Sequence, residues 1–568
     1  MLQKRWVVKP TEEAAVNQLQ NQLHIHPVLC KLLVQRGIDT YDKAKSFFRP
    51  ELSDLHNPFL MLNMDKAVHR IERAISNNEK ILVYGDYDVD GTTSVALMYT
   101  FLHSFYPNID FYIPDRYKEG YGISFKGIDY AKENNCTLVI ALDCGIKSND
   151  KMDYANSLHI DFIICDHHLP GEKIPAAYAV LDPHQPNCNY PCKELSGCGI
   201  GFKLAQAFAS THGIPESEVF NLLDLVVISI ASDIVPIIDE NRVLAFYGME
   251  ILNSNPRPGI KALMQVSGVA APVSISSIVF GLGPRINAAG RLDDAKEAVR
   301  MLLSQAEIDA KDNADGLQEH NNNRKEIDKQ ITLEALAMLA NDPATPDKKS
   351  TVLCSDTWHK GVVGIVASRV LENYYRPTIL LTHSNNMLTG SARSVKGFDI
   401  YEAIRECSDL LEQFGGHMYA AGVTLKPENL EAFQNKFEQV VSKSILPEQL
   451  IPQIEIDAEI NLGDISPAFF NILKQLAPFG PGNMYPVFMT KNVMSNGRTK
   501  PVGNGHLKLG IKDNRKFAAD AIAWQMGDLY EKISQNTIFN LCYTIEENVF
   551  NNNTTLQLNV KEIKFNEA

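Results

Sequence analysis

The 568-residue sequence predicts an α/β protein of several domains, with a mostly parallel sheet, a second α/β domain and an all-β C-terminal domain. Three observations lead to this fold class. Between about residues 76 and 290, short β-rich runs alternate with helical stretches, which is typical of βαβ units. The alternation returns between about residues 351 and 446. From residue 454 onward, apolar and polar residues alternate as they do along half-buried strands.

Changes in composition along the chain predict the boundaries between these regions. Strand-like runs of the parallel sheet are residues 80–84, 109–113, 138–142, 162–165 and 178–181. The polar segments NDPATPDKKS (341–350) and LPEQLIPQ (446–453) are linkers, and NVFNNNTT (548–555) is a hairpin loop. We expect a helical N-terminal extension (1–75), a parallel-sheet domain (76–293), one or two connecting helices (294–345), an α/β domain (346–448) and a small β-barrel (449–568).

Composition excludes several classes of protein. The net charge of −14 argues against a basic coat over the whole surface, although it allows a local basic groove. Ten cysteines without regular spacing indicate reduced thiols. The N-terminus lacks the features of a signal peptide, and the longest apolar run, residues 222–238, is interrupted by Asp224 and Asp233. We therefore expect a soluble cytoplasmic protein.

Acidic residues and histidines are concentrated where the predicted strands end. The segments are ILVYGDYDVDG (81–91), LVIALDCG (138–145) and FIICDHH (162–168), and VISIASDIVP (227–236) adds Asp233 after an apolar run. Ligands gather at the carboxyl ends of parallel strands, and such dense carboxylates repel one another unless a cation lies between them. Oxygen ligands with one or two imidazoles suit Mn²⁺ or Mg²⁺. We therefore expect metal-assisted phosphate chemistry that involves Asp86, Asp88, Asp90, Asp143, Asp166 and His167.

The same segments are open to different assignments. DYDVDG matches the start of an EF-hand loop, but Leu97 stands where that loop needs a glutamate. DVDGT matches a phosphatase nucleophile motif of the haloacid-dehalogenase type, which leaves Asp166, His167 and His168 unexplained. Each acid could also be a simple loop or cap residue. A zinc site at His184, Cys188, Cys192 and Cys198 is a weaker possibility, because the spacing is loose.

The four motifs DYDVDG, LDCG, CDHH and SDIVP resemble those of the DHH phosphoesterase family. The ordered series IPDRYKEGYGI (113–123), GLGPRINAAGRL (281–292), SARS (391–394), FGGHMYAAG (414–422) and PFGPGNMYPVF (478–488) is similar to the RecJ branch of that family. This resemblance covers nearly the whole chain. It implies a DHH catalytic domain, a connecting helix, a DHHA1 domain and an OB-fold that binds single strands. It also implies Mn²⁺- or Mg²⁺-dependent 5′→3′ degradation of single-stranded DNA to 5′-mononucleotides, in DNA repair and recombination.

The resemblance also implies roles for the residues of the metal site. Asp90, Asp143, His167 and Asp233 would hold one ion, and Asp88 and Asp143 with Asp86 would hold a second, so that Asp143 bridges the two. His168 would act near the scissile phosphate as a donor or proton carrier, and Asp166 would orient an imidazole.

Residues for the DNA follow from the same resemblance and from phosphate chemistry. Arginine forks with hydroxyl donors hold a terminal phosphate well, and glycines let the backbone approach one closely. The candidates for binding the 5′-phosphate and the strand are Arg116, Arg285, Asn287, Arg291, Ser391, Arg393, Gly415, Gly416 and His417.

The C-terminal domain contains a local excess of basic residues. Seven Lys or Arg and one acid lie between residues 490 and 516, and a positive groove on a small barrel binds single strands with little sequence preference. Lys500 and Lys508 are the candidates there, and Phe517 or Trp524 could stack on bases.

Two other functions are weighed against the exonuclease. One is a DHH phosphodiesterase that acts on short oligonucleotides or cyclic dinucleotides, and the other is a protein that only coats single strands. We expect single-stranded DNA with a 5′ end as the partner, with a single-strand-binding protein and a helicase as further partners, and a monomeric enzyme.

Overall fold

The computed structural model describes residues 4–292, 294–535, 537–551 and 553–565. Its N-terminal part is mostly helical, as predicted, but it also contains a strand. That strand pairs in parallel with Gln453–Ile456, more than 440 residues away in the chain. Val16, Leu19 and Leu29 join the core of the C-terminal barrel, whereas the last N-terminal helix packs in the core of the parallel-sheet region. The N-terminal elements are β1 (Arg5–Val8), α1 (Glu13–Leu23), α2 (Pro27–Val34), α3 (Tyr41–Phe48) and α4 (Met64–Ser76).

A five-stranded parallel sheet forms the centre of the next region. All five predicted strands are present, and their spatial order β3-β2-β4-β5-β6 reverses direction beside β2. In such a sheet the loops that follow the strands meet at one edge. The elements are β2 (Lys80–Gly85), α5 (Val89–His103), β3 (Ile109–Tyr112), α6 (Phe125–Glu133), β4 (Cys136–Leu142), α7 (Asn149–Ser157), β5 (Asp161–Cys165), β6 (Ala179–Leu181) and α8 (Gly197–His212).

Helices complete this region and lead out of it. The apolar run before Asp233 is a helix, α10, and Asp233 is its C-terminal cap residue. A π-helical turn, Ile278–Leu282, precedes α14, and α16 extends over 35 residues towards the second α/β region. The elements are α9 (Glu216–Phe220), α10 (Leu223–Ser232), α11 (Asp239–Ser254), α12 (Pro258–Ser267), α13 (Ile275–Ser277), α14 (Gly283–Leu292), α15 (Lys296–Leu303) and α16 (Glu307–Asn341).

The second α/β region has a mixed sheet of order β10-β11-β9-β8-β7. Only β7 and β8 run in parallel, and the other neighbours are antiparallel. The FGGH segment lies on β10, in a hairpin with β11. The elements are β7 (Thr351–Cys354), α17 (Val363–Asn373), β8 (Thr378–Ser384), β9 (Met387–Arg393), α18 (Ile400–Arg405), β10 (Gln413–His417), β11 (Ala420–Leu425) and α19 (Leu430–Ser444).

The C-terminal region is a small β-barrel. The pairing of β14 with β16 closes the ring β14-β18-β19-β17-β16, the five-stranded arrangement of an OB-fold. The predicted Asn-rich hairpin is confirmed by the pairing of Phe550 with Asn553; Asn552 lies outside the described residues. The elements are β12 (Gln453–Ile456), β13 (Ala458–Glu459), α20 (Pro467–Lys474), β14 (Phe488–Ser495), β15 (Lys500–Val502), β16 (His506–Lys512), β17 (Ala518–Ala523), α21 (Tyr530–Ser534), β18 (Phe539–Phe550) and β19 (Asn553–Phe565).

One buried arginine joins three of these regions. The Arg242 guanidinium on α11 lies 3.7 Å from the ring centroid of Phe47 and donates to the Phe47 carbonyl at 2.8 Å. It also donates to the carbonyls of Leu476 and Ala477, each at 3.0 Å. Because these carbonyls lie in the N-terminal and C-terminal parts, Arg242 fixes both against the parallel-sheet region. In the described part of the chain, no helix is both long and apolar enough to span a membrane.

Candidate metal centre and phosphate pocket

The predicted metal ligands meet at the carboxyl edge of the parallel sheet. Asp86 follows β2, Asp143 follows β4, and His167 comes two residues after β5. Asp88 caps the N-terminus of α5, where its Oδ1 accepts from the Gly91 backbone N–H at 3.0 Å, and Asp90 lies in the first turn of that helix. The reversal of strand order beside β2 therefore opens the crevice that these side chains fill.

His167 is at the centre of one group of possible ligands. Its Nε2 lies 3.2 Å from Asp143 Oδ1, 3.6 Å from Asp233 Oδ2 and 3.7 Å from Asp90 Oδ2. Asp143 also belongs to a second group, with Asp86 and Asp88, whose ligand atoms all lie within 4.8 Å of one another. Asp143 is thus within reach of both groups.

Electrostatics at this edge favour a bound cation. Burial and then the charge of Asp88 raise the pKa of Asp86, and burial with the charges of Asp90 and Asp88 raises the pKa of Asp143. Burial and the same two neighbours raise the pKa of Asp233 to about 8. Buried Asp86 Oδ2 and His167 Nε2 have no hydrogen-bond partner in the described part of the chain. A divalent cation would satisfy these atoms and remove the repulsion, so the residues fit Mn²⁺ or Mg²⁺.

The N-terminus of α8 holds Asp90 in place. Its carboxylate accepts from the backbone N–H groups of Gly197 at 2.7 Å and Cys198 at 2.8 Å, and from the Ser229 hydroxyl at 2.7 Å. A Cβ at Gly197 would lie 2.6 Å from the Asp143 Cβ, so only glycine fits there. Sequence reasoning missed Gly197 and Ser229; the Ser-Gly start of the helix, SGCGIG, was the available signal.

His168 lies beside the first ligand group, since one of its ring nitrogens is within 4.8 Å of ligand atoms of Asp143 and His167, and it pairs with Asp166. Its Nδ1 lies 2.7 Å from Asp166 Oδ1, and its Nε2 lies 3.1 Å from the hydroxyl of Tyr121, which sequence reasoning did not single out. Asp166 belongs to none of the ligand groups found among the described residues.

An arginine-lined pocket lies beside this centre at the start of α17. A Cβ on Gly364 would lie 3.1 Å from both Arg393 Nη2 and Ser391 Oγ, so these groups flank the first turn of the helix. Arg291 donates to the Gly361 carbonyl at 3.1 Å. Burial, followed by the charges of Arg116, Arg324 and Arg393, lowers the pKa of Arg291 to about 10. We call Arg116, Arg291, Ser391 and Arg393 the arginine pocket; its clustered cations and helix N-terminus favour an anion.

The structure places Arg285 elsewhere. We predicted it along the strand path, but its buried guanidinium donates to Gln318 Oε1 at 2.6 Å and to the Gly281 carbonyl, which ties α14 to α16. The helical spacing of GLGPRINAAGRL explains the error, because Asn287 and Arg291 share a face of α14 that Arg285 does not.

The FGGH residues lie on β10, in an exposed hairpin with β11. Gly415 lines a cleft that also borders His168. A Cβ on Gly416 would lie 2.3 Å from the Ala420 carbonyl oxygen, so this glycine allows the hairpin strands to approach. His417 is exposed on the same strand.

A long cleft runs between α14 and α16. It has a volume of about 670 Å³ and reaches Ser232, the neighbour of Asp233. Five basic side chains and one acid line it, and Phe280 in the π-helical turn is 80% exposed there. Lys325 and Lys329, one helical turn apart, form no ion pair with any described residue. We call this the helix cleft; its lining includes Phe280, Asn287, Arg291, Arg324, Lys325, Asp328, Lys329 and Arg369.

The basic segment of the barrel lies on β14 to β17. Lys500 and Lys508 are cross-strand partners on β15 and β16. Part of the local charge is neutralised, since Lys491 pairs with Glu459 at 2.7 Å and Arg498 with Asp520 at 3.3 Å. The rings of Phe517 and Trp524 are about half exposed, so neither is a core residue.

The zinc hypothesis finds no support in the described residues. Cys188, Cys192 and Cys198 are buried, and none of them belongs to a group of possible metal ligands.

Comparison with known proteins agrees with this geometry. The parallel sheet, the carboxylate–histidine centre and the separate α/β lobe define a metal-dependent phosphoesterase of the DHH class. The chain matches three family models: the DHH family N-terminal domain (residues 80–230), the DHHA1 domain (347–443) and the RecJ OB domain (456–562). Over 99% of its length it is 36% identical to the single-stranded-DNA-specific exonuclease RecJ of Bacillus subtilis, spanning 71% of that protein. Over 94% of its length it is 32% identical to RecJ of Escherichia coli, spanning 96% of that protein. The crystal structure of Thermus thermophilus RecJ with Mn²⁺ superposes with a TM-score of 0.85 at 25% identity, covering 99% of this chain and 80% of that one. The chain belongs to the RecJ family.

Proposed function

We propose that this protein is a single-stranded-DNA-specific 5′→3′ exonuclease that hydrolyses phosphodiesters with Mn²⁺ or Mg²⁺ and releases 5′-mononucleotides. The observation that carries the proposal is the position of the arginine pocket beside the carboxylate–histidine centre. A terminal phosphate held in that pocket would set the next phosphodiester before the metal ligands. Its relatives that match over nearly the whole chain are named single-stranded-DNA-specific exonuclease RecJ, which supports the substrate and the type of reaction.

The metal ligands divide into two sets in this proposal. Asp90, His167 and Asp233 would hold one ion, Asp86 and Asp88 the other, and Asp143 both. When bound, such ions activate water and stabilise charge on the phosphate oxygens. RecJ structures from Thermus thermophilus were solved with Mn²⁺ and with Mg²⁺.

His168 would act on the phosphate rather than on an ion. Burial alone would lower the pKa of His168, but the hydrogen bond to Asp166 and the surrounding carboxylates raise it to about 9. The imidazole would therefore be charged at neutral pH, and it could donate a hydrogen bond to a phosphate oxygen or a proton to the departing 3′ oxygen.

The arginine pocket would determine the direction of degradation and the number of nucleotides released at each cut. Arg393 and Arg291 are fork-shaped donors, and Ser391 adds a hydroxyl that accepts from Arg393 at 2.7 Å. A pocket that binds one terminal phosphate would place one nucleotide between it and the ligands, so each cut would release a mononucleotide from the 5′ end.

The rest of the strand would lie in the helix cleft. Phe280 offers a stacking surface for a base, while Lys325 and Lys329 offer charges for the backbone. Beyond it, Lys500 and Lys508 on the barrel would hold more distant nucleotides. The phosphodiesterase acting on short oligonucleotides or cyclic dinucleotides is less favoured, because it needs neither this cleft nor a barrel.

The proposal also covers the oligomeric state, the protein partners and the cellular location. The ligands and the arginine pocket come from a single chain, which supports a monomer. An enzyme restricted to single strands would need a helicase to open duplexes and would meet single-strand-binding protein on its substrate. DNA as the substrate would place it in the cytoplasm.

End-labelled DNA tests the proposal. We expect Mn²⁺-dependent release of labelled mononucleotide from 5′-labelled single strands at once, and from 3′-labelled strands only late. EDTA, duplex DNA and circular single strands should give none. Early release from the 3′ end, or cutting of circles, would contradict the proposed polarity.

A further inference from the structure

A second cleft borders the metal centre at a different residue. The helix cleft reaches the centre beside Asp233, whereas this one, of about 810 Å³, reaches it at Asp166 and His168. Its walls are the loops that follow β3, β4 and β5, and β10 of the second α/β region closes one side. We call it the lysine cleft, after Lys118, Lys126, Lys147 and Lys151.

The charge of the lysine cleft suits an anion. Its acids are engaged internally, since Glu119 accepts from the Tyr112 hydroxyl and the Asp115 backbone N–H, and Asp166 accepts from His168. Among the lysines, Lys126 and Lys147 form no ion pair with any described residue. Their ammonium groups can therefore bind a phosphate without breaking a contact of the fold.

Two aromatic rings make the cleft suitable for a nucleobase as well. Tyr121 is 55% exposed and Phe125 is 46% exposed, and both line the cleft. Lys151 Nζ lies 5.1 Å from the ring centroid of Phe125, so charge and ring stand side by side. Exposed rings beside cations are how proteins hold a base and its phosphate together. The volume is in the range of small-molecule sites.

The position of the cleft identifies the occupant. Tyr121 joins it to the centre, because its hydroxyl lies 3.1 Å from His168 Nε2. The remaining strand would occupy the helix cleft, and the lysine cleft is a separate opening next to His168 that the cut nucleotide can enter. We propose that the lysine cleft receives the nucleoside 5′-monophosphate released at each cut and that product bound there slows turnover. This rests on the proposed exonuclease function.

The test removes the two unpaired lysines together, as Lys126→Ala with Lys147→Ala. Lys45→Ala with Lys66→Ala is the matched control, because both of these lysines are exposed on N-terminal helices and line neither cleft. We measure the Ki of dAMP against labelled single-stranded DNA. We also measure binding of labelled dAMP by equilibrium dialysis in EDTA, where the metal centre does not contribute.

The lysine-cleft variant should raise the Ki and weaken dialysis binding by about tenfold, which corresponds to the loss of one or two charge-assisted contacts. The control should leave both values unchanged. Equal Ki and equal binding in the two variants would overturn the proposal, as would a higher KM for DNA with an unchanged Ki, which would assign the lysines to the strand. If the exonuclease function itself is wrong, no nucleotide is released from DNA, yet the dialysis result still reports on the cleft.

Discussion

His168 Nδ1 lies 2.7 Å from Asp166 Oδ1, and the partner carboxylate is anchored by the backbone N–H groups of Ile146 at 2.8 Å and His167 at 2.8 Å. Burial alone would raise the pKa of Asp166, but the hydrogen bond from His168 and its charge outweigh burial and lower it. The pair is therefore a fixed carboxylate that holds the pKa of the His168 imidazole above its usual range, beside the metal centre.

The first prediction concerns the pH dependence of turnover. In the wild type, kcat should fall at alkaline pH, where His168 loses its proton, because the hydrogen bond to Asp166 holds the pKa of this imidazole above its usual range. Asp166→Asn removes the negative partner of His168, so the alkaline fall of the kcat–pH profile should move to lower pH by about 1 to 2 units. The kcat–pH profile measures it, with exposed Asp150→Asn as the control. An unmoved alkaline fall would exclude His168 as the titrating group.

The same pair predicts a pH dependence of stability. The folded pKa of His168 lies above its unfolded value of about 6.5, so its contribution is complete below that pH and is lost as pH rises through about 9. Urea unfolding between pH 6 and pH 10 should show this loss in the wild type and a smaller one in Asp166→Asn. Equal losses would contradict it.

The third prediction concerns the bridging carboxylate. Asp143 has a φ of 58°, a left-handed conformation that asparagine tolerates well. Asp143→Asn should abolish nucleotide release. It should raise the Tm of EDTA-treated protein by about 2–4 °C, because one buried like charge is removed. Mn²⁺ should stabilise the wild type more than the variant. Scanning fluorimetry measures this, and retained nucleotide release would refute the ligand assignment.

The fourth prediction tests the arginine pocket. Arg393→Lys keeps the charge but removes the planar fork, so the preference for 5′-phosphorylated over 5′-hydroxyl strands should fall about tenfold. The ratio of kcat/KM on the two substrates measures this preference. Arg405→Lys, an exposed arginine of the same region that pairs with Glu402, is the control. If both variants lose this preference equally, Arg393 does not bind the 5′-phosphate in the arginine pocket.

The fifth prediction tests the helix cleft. Phe280→Ala should raise the Kd for single-stranded DNA about tenfold, because stacking on one base contributes about 1–3 kcal/mol. Phe280→Trp should restore binding, and Tyr41→Ala, another exposed ring, should have no effect. Fluorescence anisotropy in EDTA measures binding without cleavage. If the Phe280→Ala variant binds single-stranded DNA as tightly as the Phe280→Trp variant, the strand does not contact Phe280.

Much of this fold could be predicted from the sequence, because local patterns of apolar and polar residues indicate its strands and helices. β4 (Cys136–Leu142) and its neighbours are short apolar runs between helical stretches, and the barrel strands alternate apolar and polar residues. What could not be predicted depends on distant partners. β1 has only four residues, and it is a strand because Gln453–Ile456 provides its hydrogen bonds. In the sequence, Arg242 is only a polar residue within a helix. In the structure, it donates hydrogen bonds to the carbonyls of Phe47 and Leu476.

The candidate site divides in the same way. The sequence by itself determined the family resemblance and the carboxylates and histidines at the strand ends, because chemistry of this kind needs particular residue types in short motifs. Only the tertiary structure decided that Asp143 lies within reach of both ligand groups, that Arg285 donates to Gln318 on α16, and that the helix cleft and the lysine cleft both border the centre. The physical reason is that these relations depend on the packing of elements far apart in the chain, which no local pattern records.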